Sequence, residues 1–472
     1  MIRAAVVDWA LRAALATLLV SATACQHQAA APPPAQAQAP DAGQAPKTAA
    51  AAATTTTSVA TTTNPAAAPE PPTRPLRRCF PQRPAWDDAP VGDLLDRAAD
   101  LFDTGDYEGA LVCAEEAARQ APRSVEAHHN RAIALLHLER VDEARDALAL
   151  ALALAPDDPE TLEAAADLFV NQLPPSADRS LLGLEYARRG SRHTPARDAG
   201  RRARLALLEG QALIDLGRAN EALRRLDASL AYQPDVASAL YERGVALFEL
   251  CRFDDAHRMF EKVLADEDDS DHPHALYHLG LIEERQGDEG ASALHLAAAT
   301  AADPKAFPAP PKISQADFAA RVRRAVEALD PDMRRDLASI SVEAADIPSS
   351  EDLTAEKPPL SPTILGLFRG LPLDWNAREP LPTQAGRPSK KGRAEQPDQS
   401  EPSKQSKSDG APTPRCDSAG VPERAIVLYR RNLLRTVQTP AELDEAITRT
   451  LLHEVGHLRG EDDGSLRDRG LE

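Results

Sequence analysis

Two patterns of apolar positions organise this chain. Toward its end, Ile447, Leu451, Val455 and Leu458 fall on one narrow arc of a 3.6-residue helix, with His453 and His457 roughly opposite. Thr439, Pro440 and Glu442 read as an N-cap, an N1 proline and an N3 acid, a capping box that opens this helix and lets it run about five turns. One face of the helix packs and the other is free for chemistry. The run AIVLY, Ala425 to Tyr429, bounded by Pro422 and an arginine pair, suits a buried strand. Farther upstream, from about 90 to 305, small residues recur with a 34-residue period at Ala98, Ala132, Ala166, Gly210, Gly244 and Gly280. They recur again twelve positions later at Ala110, Ala144, Ala222, Ala256 and Ser292, and Pro122, Pro156, Pro195, Pro234 and Pro304 close most units. About six units result, the third lengthened through NQLPPSADRS. Repeated units this short bury their apolar faces only by stacking on their neighbours.

Composition marks where no core is expected. Residues 26–89 are almost entirely Ala, Pro, Thr and Gln, and the segment from about 377 to 421 is rich in Pro, Ser, Lys, Gln and Gly; neither has the apolar content to fold. The first reads as a disordered tether and the second as a disordered surface insertion. In front of the tether, Arg3, Arg12 and the apolar stretch AALATLLV lead through small residues to Cys25, the pattern of a secretory signal over residues 1–25. No other stretch is apolar and long enough to span a bilayer. A net charge of -19 argues against nucleic acid, whose phosphates require clustered Lys and Arg. The one basic cluster, Lys390, Lys391 and Arg393, falls in the insertion. The five cysteines form no framework: Cys25 belongs to the signal, Cys113 and Cys251 to the repeats, and Cys79 and Cys416 to loops, where one disulfide between loops is possible. Histidines scattered through the repeats, such as His128, His129, His257, His272, His274 and His278, read as solvent-facing.

The run HEVGHLRGEDD, His453 to Asp463, carries the candidate chemistry. Its HExxH spacing places His453 and His457 one turn apart, where two imidazoles converge on one Zn²⁺. Glu454 can reach the open side of the metal and take a proton from water polarised there. A catalytic zinc holds three protein ligands. Gly460 suits a left-handed turn that swings Glu461, Asp462 and Asp463 back toward the histidines, and Asp463 is the expected third ligand.

Together with FAARVRRAVEALDPDMRRDL, SISVEAADIP, TILGLFRGLPL and PERAIVLYRRNLL, in that order, this run resembles the small zincin-like metallopeptidases over residues 314–472. The resemblance implies a short α+β domain, with His453, His457 and Asp463 as zinc ligands and Glu454 as the general base. It also implies a strand near the metal helix that holds substrate in extended form. Leu458 and Arg459 stand where that family often has a second histidine and an aromatic residue. The period-34 region, 90–305, resembles the tetratricopeptide repeat (TPR), which implies a mainly α solenoid that docks a protein partner on its concave face. ATAC resembles a lipobox, which implies lipidation of Cys25, and Gln26 after it implies an outer-membrane lipoprotein facing the periplasm. The expectation is an exported, lipid-anchored zinc metallopeptidase that hydrolyses peptide bonds, with TPR repeats recruiting its protein substrate or partner. The alternative is a non-catalytic TPR scaffold lipoprotein of the cell envelope with a structural zincin-like domain.

Overall fold

The computed structural model describes residues 79, 89–174, 176–265, 272–373 and 424–471. The signal segment with Cys25, nearly all of the tether and the whole of the insertion lie outside the described residues. The chain divides into two compact units, the first ending at Leu138 and the second beginning at Glu139.

In the first unit, α1 (Val91–Asp103), α2 (Tyr107–Gln120) and α3 (Val125–His137) follow one another through tight turns. Gly105, at φ +81°, supplies the left-handed residue between α1 and α2, and the Asp106 carboxylate then caps α2 by accepting from Gly109 N at 2.9 Å. Cys79 is disulfide-bonded to Cys113 of α2, with both side chains fully buried. The sequence reading, which saw at most a bridge between loops, missed this because spacing says nothing about which cysteines meet. Cys251 is a free thiol.

The second unit continues the helical run with α4 (Val141–Leu154), α5 (Pro159–Asp167), α6 (Ala177–His193), α7 (Ala199–Asp215), α8 (Ala219–Tyr232), α9 (Ala237–Glu249), α10 (Phe253–Leu264), α11 (His272–Gln286) and α12 (Glu289–Ala302). Among the described residues twelve α-helices follow one another between Val91 and Ala302, three in the first unit and nine in the second. The irregular third unit has a physical form: α5 runs on through a π-helical turn, Leu168–Gln172, before α6 begins. Glycine recurs because helices touch there. A Cβ at Gly210, Gly244 or Gly280 would lie 2.6 Å from Leu226, Phe260 or Leu296 respectively, each sixteen residues on in the partner helix. The prolines at 122, 156, 195, 234 and 304 all sit in the turns just after a helix ends. Two of the histidines expected to face solvent are core residues. His128 is 8% exposed and His278 only 1%, the latter packed among Tyr241, Phe248, Phe260 and Tyr277.

After the repeats come α13 (Gln315–Ala328), α14 (Pro331–Asp336), β1 (Ser341–Ala345), α15 (Ser350–Thr354), β2 (Gly366–Arg369), β3 (Ala425–Tyr429), α16 (Arg430–Arg435), α17 (Pro440–Leu458) and α18 (Asp463–Asp468). The three strands form one sheet in the order β1-β3-β2, with β1 parallel and β2 antiparallel to the central β3. Every residue of β3 is buried, and its alternation divides two cores. Ile426 and Leu428 face Phe318 and Val322 of α13 and Leu443, Ile447, Leu451, Val455 and Leu458 of α17. Val427 and Tyr429 point the other way, onto Leu353 and Ile364, with Cys251 and Phe253 of the repeats packed against that cluster. Polar contacts join the same parts: Glu284 of α11 forms ion pairs with Arg431 at 2.8 Å and Arg435 at 2.6 Å, and Arg285 donates a hydrogen bond to the Pro348 carbonyl at 2.7 Å.

Candidate metal centre

Helix α17 begins as its sequence suggests. The Thr439 hydroxyl accepts from Glu442 N at 3.2 Å, and Glu442 reaches back to Gln438 N at 2.8 Å. Its other end is a Schellman turn: Gly460, at φ +85°, donates to His457 O, and Glu461 N donates to Gly456 O, each at 3.0 Å. The reversal starts α18, where Asp462 caps Ser465 N and Asp463 becomes the first helical residue.

This folding back brings all three expected ligands together. Nε2 of His453 and Nε2 of His457 stand 3.0 Å apart. Asp463 Oδ1 lies 3.2 Å from the second and 3.9 Å from the first. Asp463 is buried, whereas the His453 and His457 side chains are 13% and 26% exposed, so the group opens on the histidine side. Among the described residues this is the one His/Cys/Asp/Glu group spaced to hold a metal ion.

The donor set fits a divalent cation. Nδ1 of His453 faces the Leu471 carbonyl at 2.9 Å, and Nδ1 of His457 faces the Glu461 carbonyl at 3.1 Å. A carbonyl only accepts, so each Nδ1 carries the ring hydrogen and each Nε2 presents a lone pair. Two lone pairs and a carboxylate oxygen in van der Waals contact repel one another unless a positive charge sits among them. Protonation shows the same demand: burial works to lower the His457 pKa, but Asp463, Glu454 and the Glu461 carbonyl outweigh it and hold the imidazole above its ordinary value.

Glu454 lies on the flank of α17 that meets β2. It is 6% exposed, and burial pushes its carboxyl up to about 7, with the charge on His457 and the Phe368 N–H acting the other way and Asp463 adding to the rise. Gly366 of β2 makes room for it, since a Cβ there would stand 2.7 Å from Thr450 Cγ2 and 3.0 Å from Glu454 Oε1. In the β2–β3 ladder Tyr429 N donates to Leu365 O, so alternation turns the Phe368 N–H away from β3 and toward Glu454. The sequence reading named His453, Glu454, His457 and Asp463, which the structure brings close together, but none of the groups that support them. The carbonyls of Glu461 and Leu471, the Phe368 amide and Gly366 are backbone features, invisible to a search for side-chain chemistry.

Comparison with known families gives three matches. Residues 393–471 match the model of the zincin-like metallopeptidases. The C-terminal part of the chain carries a zincin-like metallopeptidase domain. The zincin match implies zinc binding in general terms, and its described part, 424–471, contains His453, Glu454, His457 and Asp463. Two tetratricopeptide repeat models match at 95–159 and 213–279, and such repeats indicate protein–protein interaction. Curated proteins give no match. Among solved structures, PilW, a type IV pilus biogenesis factor, is 21% identical, covering 46% of this chain and 94% of its own at a TM-score of 0.40. Pseudomonas aeruginosa pilF is 15% identical, covering 46% and 92% at 0.39. A TPR protein of Thermus thermophilus is 22% identical, covering 40% and 99% at 0.34.

Proposed function

We propose that this protein is a zinc-dependent metallopeptidase, exported and lipid-anchored through Cys25, whose TPR repeats bring a protein substrate or partner to the zincin-like domain. The observation that carries the reading is the meeting of His453 Nε2, His457 Nε2 and Asp463 Oδ1 beside the buried carboxyl of Glu454. His453, His457 and Asp463 would hold the metal, and bound zinc would supply a Lewis acid that polarises a peptide carbonyl and acidifies water. Glu454 takes the proton from the attacking water and delivers it to the leaving amine. Burial of that carboxyl strengthens it as a proton acceptor relative to an exposed glutamate.

Substrate adds to the sheet at β2. Among the described residues strand β3 is paired on both sides and β2 on one, and the other edge of β2 runs past Glu454. An extended peptide there meets main-chain partners and the acid together. Recruitment falls to the repeats before the last two, because Cys251, Phe253, Glu284 and Arg285 are already engaged by the peptidase domain. Export to an oxidising compartment agrees with the buried Cys79–Cys113 disulfide. The test is Glu454→Gln: zinc content and fold are retained while hydrolysis of an unfolded protein substrate such as casein is lost. Undiminished hydrolysis by that variant would refute the catalytic reading.

A further inference from the structure

Helix α18 delivers Asp463 to the centre, yet six residues of helix cannot hold their own position in water. Arg469 reaches back to Glu461 and Asp462 caps Ser465 N, and the apolar hold between the two helices is a knob and hole. Leu466, fully buried, seats its Cδ2 against the place where a Cβ of Gly456 would stand. A side chain at 456 would clash with that methyl, so the close approach of the two helices here needs glycine. Gly456 lies one residue before His457, and Leu466 lies one helical turn after Asp463. The contact therefore sets the distance between the ligand pair on α17 and the ligand on α18. It also sets the far end of α18, where Leu471 N donates to Leu466 O at 3.1 Å and the Leu471 carbonyl accepts from His453 Nδ1 at 2.9 Å.

We infer that the Leu466 side chain seated on Gly456 is the positioning element of the metal centre, placing both the Asp463 carboxylate and the carbonyl that orients His453. This rests on the zinc-site reading above and goes beyond it by assigning the site's geometry to two residues that touch no metal. Groups that hold metal-binding side chains in place are worth about ten- to a hundredfold in metal affinity.

The test is a double-mutant cycle on zinc affinity, measured by competition with a chromophoric chelator, with helical content and melting of the metal-free proteins followed alongside. Gly456→Ala weakens zinc binding by about tenfold or more. Its metal-free form stays helical, since alanine favours a helix over glycine. Leu466→Ala, which only removes atoms, weakens binding to a similar degree and carries the test alone if the methyl at 456 prevents folding. Because both act through one contact, the double variant binds no more weakly than the weaker single variant. Losses that multiply in the double variant overturn the inference, as does parental affinity in both singles. A parent protein that binds no zinc overturns the zinc-site reading and this inference with it, whereas a parent that binds alongside unaffected variants overturns the inference alone.

Discussion

Glu284 of the last repeat is the buried acid among the contacts that join it to the peptidase domain. Its side chain is 5% exposed and one oxygen, Oε1, accepts from two guanidinium groups, Arg431 at 2.8 Å and Arg435 at 2.6 Å. Glu284→Ala strands these cations unequally. Arg431 keeps Glu289 at 2.8 Å and Asp346 at 3.5 Å. Arg435, 14% exposed, keeps only a 3.3 Å contact to Asn432 Oδ1. Breaking a buried pair costs 3–5 kcal/mol, and with Arg431 still partnered the lower end applies, about 3 kcal/mol. In a unit of this size that lowers the melting temperature by about 6 °C. Glu289→Ala is the control: Glu289 is 64% exposed, and loss of its pair costs less than about 1 kcal/mol. Thermal unfolding of the full chain at neutral pH measures both. Equal shifts for the two variants would show that Glu284 is an ordinary surface partner. Replacing Glu284 and Arg435 together by leucine should recover most of the loss, because no charge is then left buried.

Other expectations follow from the same structure. Burial holds the His278 pKa down to about 3 against an ordinary 6.5, so the folded state carries it neutral; stability is full above 6.5 and declines as pH falls, by about 2 kcal/mol at pH 5. Urea unfolding of His278→Leu should lose about that much less between pH 6.5 and 5 than the parent, and equal losses would contradict the burial argument. Reducing the Cys79–Cys113 bond, which closes a sequence separation of 34 residues, should destabilise the first unit by about 4 kcal/mol. Calorimetry with and without reductant checks it, an unchanged first transition being the adverse result. Gly366→Val should reduce hydrolysis at least tenfold while leaving zinc content intact, because the added side chain displaces Glu454 and not the ligands; loss of zinc in parallel would place Gly366 in the ligand frame instead.

How much of this was legible in the sequence depends on range. Helix α17 was readable at both ends, because the Thr439 cap and the Gly460 turn are local devices whose chemistry is written in adjacent residues. The meeting of His453, His457 and Asp463 was readable for the same reason: all three lie within eleven residues. The repeats were readable because one contact, a glycine against a large side chain sixteen residues later, occurs again and again. Long-range facts were not. Nothing in AIVLY indicates that β3 is central or that GLFR forms the edge beside Glu454. The Cys79–Cys113 pair and the packing of Cys251 and Phe253 under β3 also depend on tertiary approach. The burial of His278 was missed because a polar residue at a helical core position looks the same as one on the surface until its neighbours are known.

The decisive experiment is elemental analysis of the purified full chain after exhaustive dialysis. One zinc per chain in the parent, falling to none in His453→Ala while the repeats stay folded by circular dichroism, is the expected outcome. A parent without zinc, or a His453→Ala variant that keeps it, would mean that the imidazoles and the carboxylate at 463 gather for some other reason.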